Sequence, residues 1–220
     1  MNKSLLLLTL ISLSYAAAAS ARDHGFYAGL GVGRSSANVA EITRQDILDL
    51  GFTSLNSFQN GSSKSDTAWK VYGGYRFNPH VAAEAFYTNL GKFTRNATGS
   101  GVYASSTVNF TLDSALKVSG FGAAALLGAP LSDHWSVFAK PGLLYWDAKR
   151  STTATAAGSS QSASTDKKGT SPTFGLGADY AFTGKLGARV EWERYFDVGD
   201  ENTTGKSNVN LFLLSMRYTP

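Results

Sequence analysis

Between Ser171 and Phe182 the chain alternates without a break. Phe174, Leu176, Ala178, Tyr180 and Phe182 share one parity, and Thr173, Gly175, Gly177, Asp179 and Ala181 share the other. Successive side chains of a strand point to opposite faces, so this stretch carries one bulky apolar face and one small or polar face. Residues 25–36 repeat the pattern, setting Phe26, Ala28, Leu30 and Val32 against Tyr27, Gly29, Gly31 and Gly33. Residues 67–77 set Trp69, Val71, Tyr75 and Phe77 against Lys70, Tyr72, Gly74 and Arg76. Residues 135–148 place Trp135, Val137, Ala139, Pro141, Leu143 and Tyr145 on the bulky side, with Phe138 and Lys140 opposite.

Eight segments read as strands: 25–36, 67–77, 81–93, 115–127, 135–148, 171–182, 186–196 and 208–218. Most hold the ~9–11 residues that a tilted strand needs to cross a bilayer. Short links (78–80, 128–134 and 183–185) alternate with long polar ones (37–66, 94–114, 149–170 and 197–207). All tight turns therefore fall at one end with both termini, and all long loops at the other. This plan predicts an all-β fold, an eight-stranded antiparallel up-and-down transmembrane β-barrel. Within 37–66, Ile42, Ile47, Leu48 and Leu50 suit a short amphipathic helix in a mobile loop. The Ser/Thr/Ala-rich stretch 149–170 reads as a flexible, solvated loop.

The first residues, "MNKSLLLLTLISLSYAAAASA", combine Lys3, an apolar run and small residues before Arg22, the pattern of a signal peptide over 1–21 followed by a barrel domain over 22–220. Beyond residue 21 no apolar run is long enough for a spanning helix, so any crossing must be made by strands. The 220 residues include no cysteine, which excludes disulfides, thiolate metal sites and cysteine nucleophiles. A formal charge of +4 without any basic run gives nucleic-acid binding no support.

Periodicity alone also allows a soluble barrel with an apolar cavity. Energy separates the two. Facing lipid, Arg or Lys would cost about 2–4 kcal/mol each near the midplane, whereas inside a lumen they find partners. In a soluble barrel the Gly, Ala and Thr faces would meet water with few charges to solvate them. Aromatics cluster near strand ends, as two interfacial girdles require: Tyr75, Phe77, Trp135, Tyr180 and Phe182 beside the turns, and Phe93, Tyr145, Trp146, Tyr195 and Phe196 beside the loops.

Turn lengths then predict contacts. A three-residue turn at 183–185 sets Asp179 across from Arg189, and a similar turn at 79–81 sets Arg76 across from Glu84. Lys140 and Glu191 fall slightly higher in the lumen. Arg76, Glu84, Lys140, Asp179, Arg189 and Glu191 are the expected lumen ion-pair network, because a buried charge left unpaired costs several kcal/mol. Glu193 shares their parity.

No catalytic, cofactor-binding or metal-binding residue is assigned, and no cofactor is expected. "GLGVG" at 29–33 lacks G-x-G-x-x-G spacing and lies inside a strand. His24, His80 and His134 all fall at the turn end, away from any loop-side serine that would attack outer-leaflet lipid. Glu191 and Glu193 have no cleft for sugar in a filled lumen.

The stretches "SDTAWKVYGGYRFNPHVAAEAFYTNLGKF", "SPTFGLGADYAFTGKLGARVEWERY" and "LLSMRY" resemble the transmembrane domain of the OmpA family of outer-membrane proteins. The resemblance covers nearly all of the chain after residue 21. It implies that Glu84 and Arg189 belong to an interior polar cluster that plugs or gates a narrow water path, with Lys140, Asp179 and Glu191 matching other interior charges. Leu126 stands where family members often carry a basic residue, which removes one partner for Glu84. Tyr218 is followed by Thr219 and Pro220 rather than ending the chain, and no peptidoglycan-binding domain is expected after Pro220.

The expectation is a non-enzymatic envelope protein of the Gram-negative outer membrane, monomeric, with both termini periplasmic and four long loops outside, leaving open a narrow gated path for small solutes. Outer-membrane lipids, lipopolysaccharide and the barrel-assembly machinery are its expected partners, without nucleic acid or a peptidoglycan anchor. The alternative is a surface adhesin or ligand-interaction protein acting through loops 37–66 and 149–170, and a further one is a lipid-modifying enzyme.

Overall fold

Each tight turn is closed by the side chain of a residue at its start. Asn78 Oδ1 accepts the backbone N–H groups of His80 (2.8 Å) and Val81 (2.9 Å). Ser132 Oγ accepts those of His134 and Trp135 at 3.3 and 3.1 Å. Thr183 Oγ1 accepts those of Lys185 and Leu186 at 3.2 and 3.0 Å. Short polar side chains of this kind satisfy turn amides that no strand partner reaches.

The computed structural model describes residues 24–200 and 204–220, so the signal peptide expected over 1–21 lies outside the described residues. The elements are β1 (Gly25–Ala37), α1 (Arg44–Leu48), β2 (Ser54–Ser63), β3 (Ser65–Asn78), β4 (Val81–Tyr103), β5 (Ser106–Pro130), β6 (Trp135–Ala156), β7 (Ser159–Ala181), β8 (Leu186–Val198) and β9 (Ser207–Tyr218). All pairings are antiparallel in the order β2-β4-β3-β1-β9-β8-β7-β6-β5, and β4 also pairs with β5. That last pairing closes β1 and β3 to β9 into an eight-stranded ring. β2 stands outside it, paired with the upper half of β4 from Thr94 to Val102.

Three of the four expected long loops depart from the sequence reading. Residues 94–114 and 149–170 are not loops but continuations of their strands. β4 and β5 run on to a turn at Ala104 and Ser105, and β6 and β7 to one at Ala157 and Gly158. All four turn residues have positive φ, 47° and 63° in the first and 51° and 79° in the second, the twist that two-residue hairpin turns need. Cross-strand pairing satisfies the backbone of these Ser/Thr-rich stretches, so they need no apolar face of their own to be ordered. Segment 37–66 supplies both the helix and β2. Thr43 and Asp46 form a capping box on α1, and Ile42 and Ile47 are buried with Phe52, Ala97 and Phe110. Leu48 packs against that cluster, while Leu50 is exposed.

The parity assignment holds around the ring. Phe26, Leu30, Val32, Phe121, Leu143, Val190, Phe212 and Leu214 form an exposed apolar belt, while Tyr27, Tyr72, Phe86 and Phe138 are buried in the lumen. Room for these rings comes from glycine. Tyr72 lies directly across from Gly29, Tyr27 from Gly74, Phe86 from Gly122 and Phe138 from Gly177. A Cβ on any of these glycines would come within 2.2–2.5 Å of the facing ring. The glycines of the small face are therefore the sockets of the barrel's interior aromatics.

At the turn end the expected aromatics do meet: Tyr75 touches Phe26 and Phe77, and Tyr180 touches Trp135 and Phe182. The loop-side girdle differs from expectation. Trp146 and Tyr195 are buried inside because they share the inward parity of Leu144 and Glu193, while Phe93, on the opposite parity to Leu90, is turned inward by the register shift between Asn89 and Lys92. The outward ring at that level is Trp69, Tyr87, Phe121 and Tyr145, with Trp69–Tyr87 and Tyr87–Phe121 centroids 5.4 and 4.7 Å apart.

Candidate functional site: the charged lumen

Among the described residues, seven charged side chains are buried in the lumen: Lys70, Glu84, Lys140, Asp179, Arg189, Glu191 and Glu193. Their placement follows from strand parity, since each occupies an inward position on β3, β4, β6, β7 or β8. β7 and β8 pair with Asp179 directly across from Arg189, the register that the 183–185 turn predicts. Arg189 donates through Nε to Asp179 Oδ1 at 2.9 Å and through Nη2 to Oδ2 at 3.2 Å. Its Nη1 donates to Glu84 Oε2 at 2.7 Å, and Tyr27 donates to the same oxygen at 3.2 Å. The guanidinium also lies over Phe138 and Tyr72, 4.7 and 4.8 Å from their centroids. Planar stacking and a forked donor set are what arginine supplies and lysine does not.

Lys140 links this layer to the next. Its Nζ donates to Glu84 Oε1 and, at 2.7 Å, to Glu191 Oε1, with Glu193 Oε1 at 3.0 Å. Lys70 closes the top, donating to Glu193 Oε1 at 2.5 Å and Glu191 Oε1 at 3.3 Å, and its ammonium lies 4.3 Å from the Phe86 centroid. Tyr195 donates to the other oxygen of Glu193. At the turn-side rim, Arg217 and Arg76 approach Asp179 at 3.8 and 4.0 Å. Five cations thus meet four carboxylates in one connected chain.

All six residues expected in the network lie in this chain, but one expected pairing is not made. Arg76 faces Ala82, and Glu84 faces Gly74. The link between β3 and β4 is shorter than a three-residue turn: Asn78 pairs with Val81, and the register shifts between Arg76 and Asn78. Arg76 drops toward the rim, where it meets Asp179 rather than Glu84. Leu126 is buried across from Ala82, and Glu84 takes Lys140 and Arg189 as its partners instead. Lys70 and Arg217 were missing from the expected set. For Lys70 the signal was available, because it shares the inward parity of Tyr72. Arg217 falls on the parity of the buried Leu213 and Ser215.

Loopward of the charges the lumen turns apolar. Leu90, Phe93, Leu144, Trp146, Val209 and Leu211 are all buried there. Trp146 donates to Ser171 Oγ at 2.8 Å, and Ser35 donates to the Leu90 carbonyl at 2.5 Å, which ties this layer to the barrel wall. A narrow lumen filled first by paired charges and then by hydrocarbon can stiffen the barrel.

A closed ring of eight tilted strands, an apolar outer belt edged by aromatics, and a polar filled interior define a small outer-membrane β-barrel. The chain belongs to the outer membrane protein beta-barrel domain family, whose model matches residues 4–219. It is 29% identical over 189 residues to outer membrane protein A of Salmonella typhi, covering 86% of this chain and 46% of that one. It is likewise 29% identical over 190 residues to the same-named protein of Klebsiella pneumoniae, covering 85% and 48%. The chain thus spans about half the length of the curated relatives it matches. Among solved structures, Neisserial surface protein A matches with a TM-score of 0.48 at 16% identity, covering 89% of this chain and 97% of that one.

Proposed function

We propose that the protein is a closed, non-catalytic barrel that stabilises the outer membrane and displays its long strand extensions outside, with both termini periplasmic. One observation carries this reading. The lumen is filled by two layers in series, the ion-pair chain from Arg189 to Lys70 and the apolar layer around Leu144 and Leu211. An ion would have to break buried pairs and then cross hydrocarbon, each step opposed by several kcal/mol. Planar-bilayer recording of the folded protein tests it: no steady conductance is expected at neutral pH, and reproducible openings of the unaltered protein would overturn it. The histidines at 24, 80 and 134 stand at the turn end of the strands, which supports a non-enzymatic role over lipid modification.

A second reading, a surface-interaction protein acting through 37–66 and 149–170, is favoured by one feature. β7 pairs with β8 only from Thr173 onward, so the outer edge of 159–170 presents unpaired backbone groups above the ring. Such an edge is a template for an extended partner strand. Replacing 153–162 by a tight turn and measuring adhesion to host-derived or environmental surfaces separates the two readings.

A further inference from the structure

Three lysines occupy one row of the barrel's outer face. Lys92 on β4 lies directly across from Lys117 on β5, and Lys117 directly across from Lys149 on β6. All three are exposed. Like charges placed directly opposite on neighbouring strands repel, so sequences normally avoid this arrangement unless an anion sits between them. Only one end of the row is answered from within: Lys149 meets Asp166 of β7 at 3.8 Å. Among the described residues Lys92 and Lys117 make no ion pair. Asp66 accepts the backbone N–H of Lys92 at 2.6 Å rather than its ammonium.

The height of the row points to the ligand. Tyr87, Phe121 and Tyr145 are register partners on the same three strands and mark the loop-side aromatic belt. Lys117 and Lys149 each lie four positions loopward of their aromatic, and Lys92 five, across the bulge at Gly91. At ~3.3 Å per residue and ~40° of tilt, that is about 10 Å above the belt, the depth of lipid headgroups. From Trp135 to Tyr145 along β6 the same geometry gives about 25 Å, the thickness of the apolar band. In a bilayer, an anion at this level would lie directly above acyl chains packed on Tyr87 and Phe121.

We propose that Lys92, Lys117 and Lys149 bind the phosphate groups of an outer-leaflet lipid, whose acyl chains run down over the aromatics below. A phosphate lodged between Lys92 and Lys117 receives two charge-assisted donors and relieves their mutual repulsion. Lys149, held by Asp166, reaches a second phosphate or the far side of the first.

The folded full chain in zwitterionic detergent is titrated with diphosphoryl lipid A, read by native mass spectrometry. The paired substitution Lys92→Gln with Lys117→Gln is expected to weaken binding at least tenfold, while Lys92→Arg with Lys117→Arg retains it. Lys206→Gln, which removes a loop cation paired elsewhere with Asp197, is expected to leave binding unchanged. Dephosphorylated lipid A is expected to bind the unaltered protein as weakly as phosphorylated lipid binds the glutamine pair. Equal binding by the glutamine pair, equal loss in the arginine pair or in Lys206→Gln, or equal binding of the dephosphorylated lipid each overturns the proposal. Inorganic phosphate at millimolar concentration is expected not to displace the lipid; full displacement would show a free-phosphate site and overturn the lipid assignment. Unchanged gel mobility of unheated samples shows that each variant is folded.

Discussion

Arg189 and Glu84 stand 105 positions apart in the chain, yet their side chains meet at 2.7 Å with no solvent exposure on either. They come from β8 and β4, which are not neighbours in the ring, so the bond crosses the lumen and braces opposite walls.

Removing one side of that brace leaves carboxylates buried without their cation. Arg189→Ala is expected to lower unfolding free energy by about 3–5 kcal/mol, measured by urea unfolding from vesicles. In a cycle with Glu84→Gln the two effects should fall short of additive by at least ~1 kcal/mol. Additive losses would show that the two residues act independently.

The glycine sockets give a test that involves no charge. A Cβ on Gly177 would lie 2.4 Å from the Phe138 ring. Gly177→Ala is therefore expected to cost about 1–3 kcal/mol in the same assay, as overpacking does in closed interiors. Combining it with Phe138→Leu should recover part of the loss. Failure to recover would mean that Gly177 matters for another reason.

The β6–β7 extension should be separable from the barrel. Thr153 pairs with Ser162, so the segment between them can be cut at a matched rung and replaced by a two-residue turn. Barrel stability is expected to change by less than ~1 kcal/mol, because no residue of the charged lumen lies in that segment. A large loss would make the extension part of the folding core.

At the loop end, Glu41 meets Lys64 at 3.1 Å, and that ammonium holds its carboxyl below the usual glutamate range. A carboxyl lowered on folding adds stability above its unfolded value and loses it as pH falls through the folded value, so this contact should loosen only on acidification. Carbon-detected titration of Glu41 should show the lowered midpoint, and Lys64→Gln should return it toward normal.

Much of this molecule could be read from local rules. Alternation named the inward and outward faces of most strands between Phe26 and Tyr218, failing past the bulge at Gly91, and turn length named the Asp179–Arg189 rung, because both depend only on the two-residue period of a strand. The Arg76–Glu84 rung failed for a local reason, since a bulge beside Asn78 shifts the register and nothing in the sequence around it demands one. Phe93, Trp146 and Tyr195 lie near strand ends, where an aromatic suits a girdle. For Trp146 and Tyr195 parity pointed inward and was the stronger signal, whereas Phe93 sits on the outward parity of β4 and turns inward only past the bulge at Gly91.

The extensions and the cluster are different in kind. A stretch such as "STTATAAGSSQSAST" has no periodic apolar face, so only the partner strand that satisfies its backbone decides that it is extended. Likewise each charge in the lumen follows from its own strand, but its partner follows from how a ring of eight strands closes. The sequence by itself determined which side chains face inward, through a period of two that any strand obeys. Only closure of the barrel decided that Glu84 lies between Lys140 and Arg189, because those strands are brought together across the lumen rather than along the chain.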